Sequence, residues 1–171
     1  MQLHSQRLAL RPLTDNAADA AFIVELVNEP GWLANIGDRN IHTLDAARAY
    51  IANGPAASLA RHGFGLLAVS LKSTGETIGL CGLIRRDTLE VPDLGYALLG
   101  RHQRQGYMLE AAQAVLDHAD HALKLPRLLA IVKPGNHASI TVLQKLGFTA
   151  LGLRVIAAGE DSLLHFERRR P

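Results

Sequence analysis

The sequence predicts an α/β domain in which a mixed sheet carries helices on both of its faces. Three strand-like segments, GFGLLAVSL, TIGLCGLIRR and VPDLGYALLG, follow one another between residues 63 and 100, and a turn at residues 73–75 joins the first two as a hairpin. A helix over residues 106–124 and an apolar strand over 127–132 come next, which is the order of a parallel strand–helix–strand crossover. These strands are more apolar than a half-exposed strand requires, so we expect both sheet faces to be covered.

The segments that precede this meander predict one strand and two helices. SQRLALRPL alternates apolar and polar residues, as a strand with one buried face does. Asp15 is placed to cap a first helix, which residues 28–32 end. A loop then leads to Thr43, which opens a second helix that ends near residues 53–55.

The last third of the chain predicts one more helix and a closing hairpin. Residues 134–136 turn the chain, and Asn136 is placed as the N-cap of a helix over residues 137–146 that Gly147 ends. FTALGLRVIA and SLLHFERR have the pattern of two final strands. The exposed edge of such a hairpin could support a homodimer.

The composition is typical of one soluble globular domain, and it excludes several classes of function. The chain has 171 residues and a formal net charge of +2, which is a smaller basic surplus than nucleic-acid binders carry. No apolar run reaches the roughly 20 residues of a membrane span, and no apolar signal core is present, so we expect a cytoplasmic protein without a membrane partner. The single cysteine, Cys81, is expected to be buried and inert, and the arginines at 168–170 are expected to be solvated.

The segment RHQRQGY at residues 101–107 predicts an anion site. A loop that ends in Gly106 and runs into a helix exposes backbone N–H groups without partners inside the helix, and the helix dipole adds partial positive charge. Arg101 and Arg104 add positive charge, and Gln103 and Gln105 add neutral donors. With a single glycine, the loop matches neither GxGxxG nor the P-loop, so on this segment alone an ordinary capped surface loop is the simpler interpretation.

Three further segments together point to a known family. PDLGYALLGRHQRQGYMLEA at 92–111, VKPGNHAS at 132–139 and VLQKLGF at 142–148 closely resemble the GNAT superfamily of acetyl-coenzyme A-dependent N-acetyltransferases. With QRLALRPLT near the start, the nearest branch resembles the ribosomal-protein N-terminal acetyltransferases. The resemblance implies one N-acetyltransferase domain over residues 1–171. It also implies a mostly antiparallel sheet whose central strands, here 92–99 and 127–132, splay apart to admit coenzyme A.

The resemblance also implies where acetyl-CoA binds. The family's pyrophosphate loop corresponds here to Gln103, Arg104, Gln105, Gly106, Tyr107 and Met108. Met108 departs from the pattern, since a small residue is usual at that position. The strand residues Tyr96, Ala97 and Leu98 would lie along the pantetheine arm, where backbone N–H groups could polarise the thioester carbonyl. Asn136 would bind the pantetheine amides, and Ser139 would lie near the sulfur.

Two residues are candidates for catalysis, Asp93 and Ser139. Asp93 matches the family's acidic position before Leu-Gly-Tyr, and it could be the base that deprotonates the amine; the alternative is an aspartate paired with a nearby arginine. Ser139 could help to protonate the leaving thiolate; the alternative is a serine in the first turn of a capped helix. The helix at 137–146 lacks the tyrosine that many relatives use as general acid, which leaves Tyr96 and Tyr107.

A few other side chains suggest sites, each with a simpler explanation. His118 and His121 have i, i+3 spacing but no evident third ligand, so we predict no metal site and a solvated helix face. Trp32 and Phe64 could line an acceptor pocket, but packing in the core is the default for both.

The predicted function is transfer of the acetyl group of acetyl-CoA to a primary amine by direct attack in a ternary complex. The amine-bearing acceptor would be a protein N-terminus or a small molecule. Two alternatives stay open: an antibiotic or polyamine acetyltransferase, and a non-catalytic coenzyme A-binding module. An acidic acceptor site would favour a polyamine, but the charges of residues 28–62 do not decide, since they are Glu29, Asp38 and Asp45 against Arg39, Arg48 and Arg61.

Overall fold

The computed structural model describes residues 1–171 and contains one sheet of eight strands in the order β1-β2-β3-β4-β5-β6-β8-β7. All neighbouring strands are antiparallel except β5 and β6, so the predicted mixed, mostly antiparallel sheet is confirmed. The strands are β1 Leu3–His4, β2 Leu8–Pro12, β3 Leu66–Leu71, β4 Thr77–Ile84, β5 Asp93–Leu98, β6 Arg127–Val132, β7 Thr149–Val155 and β8 Ser162–Arg169.

Six α-helices cover the sheet. They are α1 Ala17–Val27, α2 Pro30–Asn35, α3 Leu44–Ile51, α4 Ala57–His62, α5 Tyr107–His121 and α6 His137–Lys145. The predicted caps Thr43 and Asn136 are confirmed, since each side chain accepts a hydrogen bond from the backbone N–H three residues on. The predicted cap Asp15 is wrong by one residue, because Asn16 accepts from the N–H of Asp19 at 2.8 Å.

The region between residues 28 and 62 is more helical than predicted. Pro30 opens α2, where its missing N–H costs nothing because the first N–H groups of a helix have no partner. The second helix does not stop at residues 53–55, since a π-helical turn, Ala52–Ala56, links α3 to α4. Pro55 is buried inside that turn. These extra turns form a helical cap over one face of the sheet.

Two apolar cores lie on the two faces of the sheet. One packs α5 and α6 against the sheet, with Leu8, Cys81, Leu116, Leu128 and Leu143 among its members. The other packs α1 to α3 against the opposite face, with Ile23, Leu26, Ile51, Ala68 and Leu80 among its members. The expectation that helices cover both faces is therefore confirmed, and Cys81 is buried as predicted.

The two central strands separate almost as soon as they meet. β5 pairs with β6 at one register position, Asp93 with Leu129, whereas it pairs with β4 along its whole length from Asp93 to Leu98. β6 is held on its other side by β8, in register from residue 127 to 132. The sheet therefore opens into a wedge between the carboxyl ends of β5 and β6, as the predicted splay of 92–99 from 127–132 requires.

The closing hairpin places β8 between β6 and β7, which leaves β7 at the edge of the sheet. On β7, Leu153 and Val155 are 59% and 52% exposed. The expectation that residues 168–170 are solvated is wrong for Arg168, whose guanidinium donates to both carboxylate oxygens of Asp120 at 2.9 and 2.6 Å. None of the helices combines the length and the apolar content that crossing a membrane would take.

Candidate functional site

A cavity of about 960 Å³ fills the wedge between β5 and β6. One end, here called the loop side, is lined by residues 103, 104 and 106–109 and by α6. The other end, here called the cap side, is lined by α2, by Tyr50 of α3 and by residues 53–55, 57, 58, 61 and 62. The residues of β5 and β6 lie between the two ends, so one continuous space connects the predicted anion loop with the helical cap.

The loop side presents a run of backbone donors. The N–H groups of residues 104–109 donate to no acceptor in the protein, and the first bond of this region runs from the N–H of Glu110 to the carbonyl of Gly106 at 3.1 Å. Arg104 and Gly106 have positive φ angles of 61° and 78°, which turns neighbouring N–H groups toward the same space. Gly106 is the N-cap of α5, so the helix dipole adds to the field. These features together are typical of an anion-binding loop.

A contact from the first strands holds this loop in place. Glu110, in the first turn of α5, accepts hydrogen bonds from the Arg7 N–H at 2.7 Å, from Arg7 Nε at 2.6 Å and from Ser5 Oγ at 2.7 Å. The Arg7 guanidinium also donates to the carbonyl of Gln105 at 3.0 Å and lies 4.5 Å from the centre of the Tyr107 ring. The sequence analysis did not single out Arg7 and Glu110, because they lie 103 positions apart and carry no local signal.

Some side chains of the loop line the cavity, and others pair or pack within the protein. Arg101 does not supply the expected mobile charge to the site, because it is paired with Glu25 and, at 2.9 Å, with Glu76. Arg104 lines the cavity and has no ion-pair partner. Met108 is 9% exposed, and its side chain packs into the core beneath α5. The loop therefore presents its backbone, rather than the bulk of Met108, as its main binding surface.

The backbone of β5 alternates between its neighbour and the wedge. Leu99 N–H donates to Ile78 on the β4 side at 2.9 Å, and the Pro92 carbonyl accepts from Leu129 on the β6 side at 3.0 Å. Because strand residues alternate, Tyr96 and Leu98 point their backbone groups toward the wedge, and Ala97 points its own toward β4. Of the three predicted strand residues, Tyr96 and Leu98 can therefore donate or accept in the cavity, and Ala97 lines it with its side chain.

Tyr96, Ser139 and Asn136 form one hydrogen-bonded group at the start of α6. The Tyr96 hydroxyl lies 2.8 Å from Ser139 Oγ and donates to the Ser139 carbonyl at 3.2 Å. Asn136 Oδ1 accepts from the Ser139 N–H at 3.2 Å, so the cap interpretation of both residues is correct. Burial raises the pKa of Tyr96, which keeps its hydroxyl protonated at neutral pH. The group is thus a chain of two hydroxyls on the wall of the cavity.

Asp93 lies where β5 and β6 part, and it is 1% exposed. Its Oδ1 accepts from Arg86 Nε at 2.9 Å, so the predicted alternative of an arginine partner is correct. Its Oδ2 is buried without a hydrogen-bond partner, and the residue lines the cavity. Burial raises the pKa of Asp93 above its usual range, although Arg86 opposes the shift. A buried carboxylate oxygen with no partner is costly, which is why it marks a site that receives a donor.

The remaining candidates fall outside the cavity or at its margin. Trp32 is buried in the core beneath the cap and also lines the cavity, whereas Phe64 packs in the opposite core and stacks on His62. Burial raises the pKa of Cys81, which keeps the thiol unreactive. The predicted solvated face around His118 is wrong in part, because Nε2 of His118 is buried. No cluster of three or more metal-ligating side chains is present.

Comparisons with known proteins point to one family. The sequence model of the GNAT acetyltransferase domain matches residues 7–149. An uncharacterized N-acetyltransferase of Bacillus subtilis, YoaA, is 29% identical over 88% of this chain and 84% of its own length. Two further Bacillus subtilis proteins are 36% and 39% identical over 88 and 90 residues, so the chain spans about half the length of these curated relatives.

Solved structures share the whole architecture. An acetyltransferase from Agrobacterium tumefaciens superimposes with a TM-score of 0.84 at 28% identity, covering 99% of this chain and 95% of that one. RimJ of Mycobacterium smegmatis, solved in complex with CoA-disulfide, gives a TM-score of 0.75 at 21% identity, covering 99% and 87%. At that identity RimJ supports the fold alone.

Proposed function

Because the chain belongs to the GNAT acetyltransferase family, we propose that it transfers the acetyl group of acetyl-CoA to a primary amine by direct attack in a ternary complex. One observation supports this most strongly. A single cavity has free backbone N–H groups on its loop side and a buried carboxylate oxygen without a partner where β5 and β6 part. The first feature suits a phosphate-bearing cosubstrate, and the second suits an amine that must lose a proton.

Acetyl-CoA is the cosubstrate that this family uses, and the loop side fits it. The pyrophosphate would accept from the N–H groups of residues 104–109, with Gly106 allowing close approach and Arg104 adding charge. Gln103 and Gln105 support the loop from within, since their side-chain amides lie 3.4 Å from the carbonyls of Leu98 and Arg101. Tyr107 is fixed from the other side by Arg7.

The pantetheine arm would run along the free edge of β5 toward Asn136. A thioester carbonyl beside Tyr96 and Leu98 would accept from backbone N–H groups that face the wedge, and this would stabilise the oxyanion of the tetrahedral intermediate. The amine nitrogen attacks the carbonyl carbon, a C–N bond forms, and the C–S bond to coenzyme A breaks.

Two proton transfers complete the reaction. Asp93 would take the proton of the attacking amine at Oδ2, because burial raises its pKa toward the working pH and leaves that oxygen unpaired. The hydroxyl pair of Tyr96 and Ser139 would return a proton to the leaving thiolate. In this proposal Tyr96 is the general acid, and Ser139 passes its proton on through the Tyr96 hydroxyl.

The same residues weigh against the non-catalytic alternative. A coenzyme A-binding module needs the loop side, but it has no use for a buried carboxylate and a hydroxyl pair on the wall of the same cavity. The acceptor is an amine, and the protein α-amine is favoured because its pKa near 8 leaves roughly one molecule in ten neutral at pH 7. A homodimer through the β7 edge, a cytoplasmic location and one domain over residues 1–171 stay predictions.

Calorimetric titration with acetyl-CoA tests the proposal, followed by an acetylation assay with peptides and amines. Gly106→Glu should weaken binding at least about tenfold, because it adds a negative charge to the loop that would hold the phosphates, beside the Arg7 guanidinium that lies 3.4 Å from an added Cβ. Gly75→Glu is the matched control, since Gly75 has nearly the same φ of 77° and no atom within 4 Å of an added Cβ. The proposal is overturned when the unmodified protein does not bind acetyl-CoA, or binds it and acetylates no amine.

A further inference from the structure

We propose that the acceptor carries a carboxylate beside its amine, so that the enzyme prefers acidic acceptors over neutral or basic ones. The inference rests on the proposed function and concerns the cap side of the cavity. The recognising groups are Arg39 and Arg61. Neither belongs to the loop that would hold coenzyme A, and neither is part of the proton-transfer groups described above.

The cavity is strongly basic for a protein of almost neutral charge. Its carboxylates are Glu29 and Asp93, against seven basic side chains, Arg39, Arg61, Arg85, Arg86, Arg104, Lys133 and Lys145. Arg104 and Lys145 lie on the loop side, where the phosphates of the cosubstrate would use them. The surplus that remains is on the cap side and at the wedge, where the acceptor would enter.

Most of the groups at the wedge are already committed within the protein. Arg86 is paired with Asp93 at 2.9 Å, and Arg85 donates to the Leu89 carbonyl at 2.8 Å. Lys133 donates to the Ala34 carbonyl at 2.8 Å, and Glu29 accepts from the Gly100 N–H at 2.7 Å. Each of these contacts fixes a side chain or a loop of the wall.

Arg39 and Arg61 differ from this group because they have no partner. Neither makes an ion pair or donates a side-chain hydrogen bond, although both line the cavity. Arg39 and Arg86 both favour ionisation of the Tyr50 hydroxyl, although burial outweighs them and raises the pKa of Tyr50. Tyr50 lines the same cavity. Both residues are exposed where they border the cavity, and a free guanidinium there is a ready partner for a carboxylate.

The acids that would balance these arginines in the sequence are turned elsewhere. Asp38 Oδ1 accepts from the Asn40 N–H at 2.7 Å, and Asp45 pairs with Arg48 at 2.9 Å. Neither Asp38, Asp45 nor Arg48 lines the cavity. The third acid of this segment, Glu29, does line the cavity, but it is held by the Gly100 N–H. The segment therefore contributes two free guanidinium groups and one committed carboxylate to the cavity, and this counts against an aminoglycoside or a polyamine as the acceptor.

Matched acceptors and arginine variants test the inference. Three peptides with the same N-terminal serine, followed by two Glu, two Gln or two Lys residues, are compared by kcat/KM. A free amino acid and its amide are compared in the same way, so that a peptide carboxylate is distinguished from a small-molecule one. One double variant combines Arg39→Gln and Arg61→Gln. Arg170→Gln is the control, because Arg170 is exposed and lies outside the cavity.

We expect the unmodified enzyme to prefer the acidic member of at least one pair by about tenfold, since each partly screened ion pair contributes up to about fivefold. The double variant should lose that preference through a higher KM for the acidic acceptor, the Arg170→Gln control should keep it, and high salt should reduce it. Equal use of acidic and neutral acceptors overturns this inference and leaves the proposed function intact. Binding of acetyl-CoA without acetylation of any amine overturns both.

Discussion

Replacing Asp93 by asparagine separates its chemical role from its structural one. The amide keeps the size of the side chain and an oxygen that can accept from Arg86 Nε, which the carboxylate does at 2.9 Å. It removes the buried basic oxygen Oδ2. The free energy of unfolding should therefore change by no more than about 1 kcal/mol, because the lost ionic contribution of one hydrogen bond is offset by removal of a buried charge.

The loss of activity should be much larger. A positioned base contributes about 10²–10⁴ in rate, and roughly one α-amine in ten is already neutral at pH 7, so the reaction keeps a route that needs no base. We expect kcat/KM to fall about 10²-fold, or about 2.7 kcal/mol of transition-state stabilisation. In the plot of kcat/KM against pH, the fall at low pH that protonation of Asp93 causes should also disappear. Only the dependence on titration of the amine should remain.

Asp19→Asn is the matched control. Asp19 is equally buried and is paired with Arg11 at 2.7 and 2.8 Å, but it lies outside the cavity. Burial opposes ionisation of Asp19, but Arg11 and the Thr14 N–H outweigh it and lower its pKa. Its stabilisation is therefore present above the unfolded pKa near 3.8 and is lost as the pH falls through the lower folded value.

The two variants should behave in opposite ways. Asp19→Asn should lower the free energy of unfolding by about 3 kcal/mol at neutral pH, with kcat/KM per folded molecule unchanged. Chemical denaturation and steady-state kinetics on both proteins measure the two effects. An Asp93→Asn enzyme that retains the wild-type kcat/KM and the wild-type fall at low pH would remove Asp93 from the mechanism.

Two other variants address the hydroxyl pair and the loop. Tyr96→Phe removes the hydroxyl 2.8 Å from Ser139 Oγ, so kcat should fall about 10²-fold. Calorimetry should find an acetyl-CoA affinity within about twofold of that of the unmodified protein. An unchanged kcat would exclude Tyr96 as the proton donor. Glu110→Gln weakens the hydrogen bonds that hold Arg7, so acetyl-CoA affinity should fall about fivefold although Glu110 is directed away from the ligand. Gln113→Glu, on the exposed face of the same helix, is the control. Equal affinities in the two variants would contradict a positioning role for Glu110.

The elements that the sequence predicts best are those with a complete local signal. The meander from β3 to β5 consists of apolar runs broken by turn residues, and neighbouring strands in sequence are neighbours in the sheet. The caps of α3 and α6 depend on one side chain and an N–H three residues away. The start of α5 at Gly106 has the same kind of signal, since a glycine before a helix is a local pattern.

The features that the sequence does not predict depend on contacts between distant residues. Local preference makes Pro30 and Pro55 helix breakers, but Pro30 opens a helix and Pro55 is buried in a π-helical turn, because packing of the cap outweighs local preference. The ion pair between Arg7 and Glu110 joins the residue before β2 to α5, and the two residues lie 103 positions apart in sequence. The basic character of the cap side likewise follows from which charged side chains the fold turns inward, and composition cannot supply that.

The position of β8 has a consequence for the order of folding. Strands β1 to β5 pair with neighbours that precede or directly follow them, so that half of the sheet can assemble as it is synthesised. β6 meets β5 at a single register position and is otherwise held by β8, whose residues are the last strand of the chain. The β6 wall of the wedge therefore forms only when β6 pairs with β8, and such long-range pairing is slow. A newly made chain can acquire the loop at residues 104–109 before its cavity, and the complete cavity should be the last part of the site to form.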